Sequence, residues 1–218
     1  HEYIEDTDVA LDLSNSKIYW TEPRIDEIWR ANLDGTDRET VKDLQHTPMG
    51  MALGANVPVQ AFPRMYWTDY GTGTIQRAYP VGTDVEFLVN TGLAHPAGIA
   101  LDRRANKMYW TDSQRPSSRA KIQRADLNGL NVEDLVSITM GRPVGIALDL
   151  DADKMYWTEL NTDLIRRANL DGSDQETLVN DLSSPLGIAL DLGAGKMYWT
   201  DDYTGKIEQI NTGWLCLL

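Results

Sequence analysis

The sequence predicts an all-β domain built from five four-stranded antiparallel units that follow one another along the chain. Three observations lead there. The hexamer "KMYWTD" occurs at Lys107–Asp112 and Lys196–Asp201, with "KMYWTE" at Lys154–Glu159, "RMYWTD" at Arg64–Asp69 and "KIYWTE" at Lys17–Glu22. The five Tyr-Trp pairs begin at Tyr19, Tyr66, Tyr109, Tyr156 and Tyr198, in steps of 47, 43, 47 and 42 residues. Helical periodicity is absent, and each unit breaks into four short runs bounded by turn residues. A four-stranded meander repeated at about 40–45 residues is the mark of a propeller blade.

The fourth unit shows the order best: "PVGIALDLDADKMYWTELNTDLIRRANLDGSDQETLV", Pro143–Val179. "GIALD" is the first strand. Its small Gly and Ala suit the innermost position, where blades converge on the axis. Pro48, Pro96, Pro143 and Pro185 precede it, because a residue without an amide can start a strand without wasting a bond. "KMYWTE" is the second strand, with Met and Trp on one face and Tyr and Thr on the other, so both faces are bulky and each meets a neighbouring blade. The third strand, "IRRANL", runs into Asp-Gly or Asn-Gly, a hairpin signal. "ETLV" or its equivalent is the fourth. The recurring acids Glu22, Asp69, Asp112, Glu159 and Asp201 are expected to be structural, paired with Arg30, Arg77, Arg124 and Arg167 of the third strands, since a buried carboxylate needs a partner.

The motif "GIALD…KMYWTD…I-x-R-A-x-L-D-G" resembles the YWTD repeat, the class B repeat of the low-density lipoprotein receptor family, across essentially the whole chain. The resemblance implies a β-propeller, six-bladed in that family, acting as a protein-docking or ligand-release module. Five repeats are visible here, so residues 1–218 read as one propeller domain. Its blades are expected at about 8–45, 46–91, 92–138, 139–181 and 182–218, with "HEYIED" of residues 1–7 pairing near Trp214 and Leu215 to close the ring. Unit one has Asp6-Thr7-Asp8 in place of Pro-x-Gly, and unit two has Gly54 where the others have Asp, followed by a hairpin five residues longer. Unit three carries the extra loop "SQRPSSRA" on the side where family members bear ligand.

Composition narrows the partners. The formal charge is −13, from 33 acids against 20 bases. Such a surface repels phosphate backbones, which excludes nucleic acid. No apolar run reaches the roughly 18 residues of a membrane span, and the N-terminus carries no signal-peptide pattern. The chain starts at His1 rather than Met, which leaves the removal of a leader or further sequence open. Cys216 is the single cysteine, so no internal disulfide and no cysteine-based metal site is available, and there is no Asn-x-Ser/Thr sequon. By resemblance the setting is extracellular or secreted, with a cytoplasmic one left open.

Because repeats write scaffold, recognition is expected where the units disagree. The resemblance places two variable positions around the channel mouth. One is the middle of Pro-x-Gly: Met49, Ala97, Val144, Leu186 and, loosely, Thr7. The other follows the acid: Pro23, Tyr70, Ser113, Leu160 and Asp202. With Tyr203, His95, Arg115, Arg119 and Arg142 they predict an apolar patch inside a polar rim, suited to a protein or peptide ligand, a basic one included. His46 and His95 precede strand-opening prolines and are candidate pH sensors. "DLDAD" at Asp149–Asp153 lacks the glycine and terminal Glu of a calcium loop, and neither metal nor cofactor is expected. The leading function is therefore a non-enzymatic protein-binding module. A sugar-binding propeller is the alternative, with a propeller hydrolase third, since no nucleophile elbow, Cys–His pair or phosphate loop is present. Self-association follows if the ring is incomplete.

Overall fold

The computed structural model describes residues 8–54, 63–113 and 120–211. The proposed closing segment 1–7, the tips of the two long loops, and Trp214, Leu215 and Cys216 lie outside them. The described residues form five antiparallel meanders arranged as a propeller. The first is β1 (Val9–Asp12), β2 (Lys17–Glu22), β3 (Glu27–Asn32) and β4 (Glu39–Asp43); the second is β5 (Pro48–Gly54), β6 (Arg64–Asp69), β7 (Thr74–Ala78) and β8 (Glu86–Val89). The third comprises β9 (Pro96–Asp102), β10 (Lys107–Asp112), β11 (Ala120–Asp126) and β12 (Glu133–Ile138). The fourth comprises β13 (Pro143–Asp149), β14 (Lys154–Glu159), β15 (Leu164–Asn169) and β16 (Glu176–Val179). Three strands of the fifth are described: β17 (Pro185–Asp191), β18 (Lys196–Asp201) and β19 (Lys206–Asn211).

Turn chemistry sets the strand lengths. Asp102 and Asp149 end their first strands and cap the tight hairpins that follow, Asp102 accepting from the amides of Arg104 and Ala105 and Asp149 from those of Asp151 and Ala152. Gly54 stands at this position in β5, where the longer loop begins. In the third hairpins the amides of Gly129 and Gly172 bond back to Asp126 and Asn169 with φ of +84° and +87°, the left-handed conformation that closes a three-residue turn.

The fixed Tyr-Trp-Thr has a direct explanation. Each Pro-x-Gly interrupts the ladder between first and second strands, shifting its register. The Thr hydroxyl fills the break: it accepts the amides of Gly50, Gly98 and Gly145 at 2.8–2.9 Å. The same hydroxyl donates onward to the carbonyl of the next blade. Thr21 reaches Met49, Thr68 reaches Ala97, Thr111 reaches Val144 and Thr158 reaches Leu186. One side chain thus mends its own sheet and ties it to its neighbour.

Tyr and Met-Trp build the seams. Tyr66, Ile75 and Val89 of the second blade pack against Ile99, Met108 and Trp110 of the third, and the same pattern joins first to second, third to fourth and fourth to fifth. Trp67, Trp110 and Trp157 are wholly buried. Burying each such ring removes it from water at a gain of roughly 1.5–3 kcal/mol. Among the described residues no such cluster joins the fifth blade to the first. Val9 and Leu11, equivalents of the buried Met51 and the partly buried Leu53, are 51 % and 54 % exposed, and Ile207 on the other flank is 76 % exposed. The described ring is open at that seam.

Candidate functional site: the channel mouth

The loops that lead into the first strands and those joining second to third strands meet at one end of the axis. Their junction is a repeated hydrogen bond: the residue after the acid donates its amide to the carbonyl of the residue before the proline. Tyr70 bonds Thr47 at 2.9 Å, Ser113 bonds His95 at 3.0 Å, Leu160 bonds Arg142 at 2.8 Å and Asp202 bonds Ser184 at 3.1 Å. The structure therefore joins Ser113 to His95 and Leu160 to Arg142, and sets Tyr70 and Asp202 at the matching positions of their own blades. Tyr203 follows Asp202 and is 84 % exposed.

The positions differ in how much they present to solvent. Ser113 is buried, its hydroxyl donating to the His95 carbonyl at 3.1 Å. Arg142 is buried. Tyr70, His95 and Leu160 are partly exposed, and Asp202 and His46 are exposed. Tyr70 of the second blade and His95 of the third lie ring against ring, with centroids 4.5 Å apart and planes tilted by 33°. The Nδ1 of His95 is buried and makes no hydrogen bond among the described residues. Arg115 and Arg119 lie outside the described residues.

Met49, Val144 and Leu186 take a different place from the mouth loops. They line the central cavity, together with the glycines that follow them. Met49 and Val144 are buried in its wall and Leu186 is partly exposed. The cavity has a volume of about 210 Å³ and includes Thr200, Ile146, Ile188 and Asp8.

Four of the recurring acids, Asp69, Asp112, Glu159 and Asp201, are structural, but not by the expected pairing. Asp112 accepts the amides of Ala94 and His95, and Asp201 those of Ser183 and Thr204, so these carboxylates pin the lead-in loops. Asp69 accepts the amide of Thr72, and its burial raises its pKa. Glu159 takes the Trp157 indole N–H at 2.9 Å and pairs with Arg166, not Arg167. Arg30, Arg77, Arg124 and Arg167 instead pair with Glu39, Glu86, Glu133 and Glu176 of the fourth strands. Three of them also reach the next blade: Arg30 donates to the Pro80 carbonyl, Arg77 to Leu127 and Arg124 to Leu170. The physical reason is distance along the strand: the acid ends the second strand at the mouth, whereas the arginine pairs opposite its Tyr, nearer the far end.

Sequence reading missed one residue and one contact. Asp8 lines the cavity where the other units place Gly50, Gly98, Gly145 and Gly187; its irregular Asp6-Thr7-Asp8 context was the available signal. Its oxygens accept the amides of Val9 and Met51, each at 2.8 Å, and burial pushes its pKa up to about 6. The Tyr70–His95 contact joins different units and left no mark in either repeat.

These features define a β-propeller whose variable loops gather over one mouth. Models of the low-density lipoprotein receptor repeat class B match residues 63–103, 106–150 and 153–192, more than half the chain, and the chain belongs to that family. Among curated proteins it is similar to low-density lipoprotein receptor-related protein 1 of Pyricularia oryzae, 31% identical over 122 residues, covering 51% of this chain and 35% of that protein. It is also similar to mouse (Mus musculus) nidogen-2, 44% identical over 50 residues, 22% of this chain and 4% of the relative. The chain thus spans about a third or less of the length of these relatives. Among solved structures it resembles a chain of a nidogen/laminin complex, with a TM-score of 0.83 and 26% identity over 94% of this chain and 74% of that one. A gluconolactonase of Xanthomonas campestris shares the fold at a TM-score of 0.74 and 17% identity, over 94% of this chain and 75% of that one.

Proposed function

We propose that this chain is a non-enzymatic docking module that holds a segment of a partner protein over the channel mouth. The observation that carries this reading is a division of labour. At the mouth Asp69, Asp112 and Asp201 and the carbonyls before the prolines accept backbone amides, while the residues that vary, Tyr70, Leu160, Asp202 and Tyr203, are left outward. Two aromatics and a leucine with the Asp202 carboxylate, spread over three blades around the mouth, supply anchor and rim. Kinship with a lipoprotein receptor-related protein and with nidogen-2, and likeness to a chain of a nidogen/laminin complex, support a protein partner and an extracellular setting. The acidic surface favours a basic segment.

His95 belongs to the same reading through its ring contact with Tyr70, which sets the pose of that aromatic at the mouth. Sugar binding is less well served, because four of the five repeated indoles are buried in the seams and offer no stacking face. The open flanks at Val9, Leu11 and Ile207 supply a self-association surface, tested by light scattering of wild type against Ile207→Asp.

The experiment is capture from the source medium on immobilised chain, followed by mass spectrometry and measured affinity for the recovered protein. Tyr70→Ala and Leu160→Ala are expected to weaken binding at least tenfold. Phe87→Ala, on the exposed outer strand β8, leaves it unchanged. Equal retention by all three variants overturns the mouth as the site.

A further inference from the structure

We infer that the central channel is a socket for one lysine side chain of the docked partner, with Asp8 as its counter-charge. The inference rests on the docking reading above and adds what the docked segment must carry. Asp8 is the only ionisable side chain among the described residues that line the cavity. No described cation pairs with it: its contacts are the amides of Val9 and Met51 and the bond from its own amide to the Thr21 hydroxyl. A carboxylate held in protein surroundings without an opposite charge is a strong attractor for one.

The position is special to the first unit. A Cβ on Gly50 or Gly98 would come within 2.2 and 2.4 Å of the next blade's Ala97 and Val144 carbonyls, so those units admit no side chain there. Unit one alone places a functional group at this level of the channel. The amide that matches the crowded Ile99 nitrogen is that of Met51, and it bonds the Asp8 carboxylate at 2.8 Å.

The cavity wall selects the kind of cation. Met49, Val144, Ile146, Leu186 and Ile188 line it, which suits an alkyl stem. A hard divalent ion wants several oxygen ligands, and no group of three or more His, Cys, Asp or Glu converges among the described residues. A guanidinium pairs best with two free carboxylate oxygens in its plane, and here each oxygen already accepts a backbone amide. An ammonium is a point charge with rotatable donors and needs only the lone pairs that remain. The chemistry fits lysine.

The test uses the whole chain with its methionine methyls labelled with carbon-13, because Met49 lines the cavity and reports its occupancy. The probe is N-acetyl-lysine amide at pH 7.5, with N-acetyl-norleucine amide as the uncharged match. A saturable shift of the Met49 methyl with the lysine probe, at least tenfold weaker with norleucine and in Asp8→Asn, is expected. Asp8→Gly restores the residue of the other units and serves as a second variant should Asp8→Asn not fold. Equal titration by both probes, an undiminished response in either folded variant, or no response in wild type overturns the socket. A socket that binds lysine amide while Tyr70→Ala keeps full partner affinity sinks the mouth site and spares the socket; the converse pair sinks the socket alone.

Discussion

The hydroxyl of Thr111 donates to the carbonyl of Val144 at 2.8 Å while accepting the amide of Gly98 at 2.9 Å, so one oxygen satisfies two buried backbone groups in two different blades. Thr111→Val keeps the shape and leaves both groups unpaired. It is expected to cost about 2 kcal/mol or more in urea unfolding. Thr200 accepts from Gly187 but has no described acceptor beyond it and is exposed, so Thr200→Val costs less than about 1 kcal/mol. Equal costs at the two positions contradict the tie between blades.

The glycines make the same distinction by volume. Gly98→Ala drives a methyl into the Val144 carbonyl at 2.4 Å, backbone that cannot step aside without parting the blades. A loss of about 1–3 kcal/mol is expected. At Gly187 the nearest atom is the hydroxyl oxygen of the exposed Thr200 at 3.3 Å, and alanine there is expected to cost under about 1 kcal/mol. Thermal melts of the two variants decide it; a larger fall in Tm for Gly187→Ala is the adverse outcome.

Seam position grades the indoles. Trp157 is wholly buried between the third and fourth blades, and Trp157→Ala is expected to cost about 3–5 kcal/mol. Trp20 is partly exposed, stacked on Trp29 with centroids 6.1 Å apart on the open flank. Trp20→Ala is expected to lose less than half as much. Were Trp20 the costlier truncation, the flank would be covered and the ring closed in solution.

Asp8 gives stability a pH dependence of known sign. Its pKa is raised from 3.8 to about 6, chiefly by burial, with the Met51 and Val9 amides opposing. Between those values the folded chain holds more protons than the unfolded one. The contribution of Asp8 is thus fully favourable below the lower value and is lost as pH rises through the higher one, by at most about 3 kcal/mol. Asp8→Asn removes this loss, so its stability relative to wild type is greater at pH 7.5 than at pH 4.5. The measurement is urea unfolding of both chains at the two pH values. A difference that does not change with pH, or grows towards acid, refutes the assignment.

Most of the fold was legible because it is written five times. The alternation within "KMYWT" predicted which faces meet, and the seams place Tyr66 against Met108 and Trp110 accordingly. The hydroxyl tie from Thr111 to Val144 was not legible, since nothing in a strand says what its threonine reaches. The acid–arginine pairing went astray for a related reason: both residue types recur at fixed spacing, and spacing along a repeat does not give height along the axis. Asp112 lies at the mouth on backbone amides, and Arg124 lies farther down on Glu133 and the next blade. At the mouth, the loop positions Tyr70, Leu160 and Asp202 were readable from topology. The Tyr70–His95 contact and the channel-facing Asp8 depend on how neighbouring units meet.

The direct test of the whole account is the affinity of the recovered partner for the folded chain with Tyr70→Ala, set beside Phe87→Ala. A docking mouth predicts at least a tenfold loss for the first and less than a twofold change for the second, with both variants melting within a few degrees of wild type. Undiminished affinity in Tyr70→Ala, with a clear loss in Phe87→Ala, places recognition on the outer edge of the blades and contradicts the account.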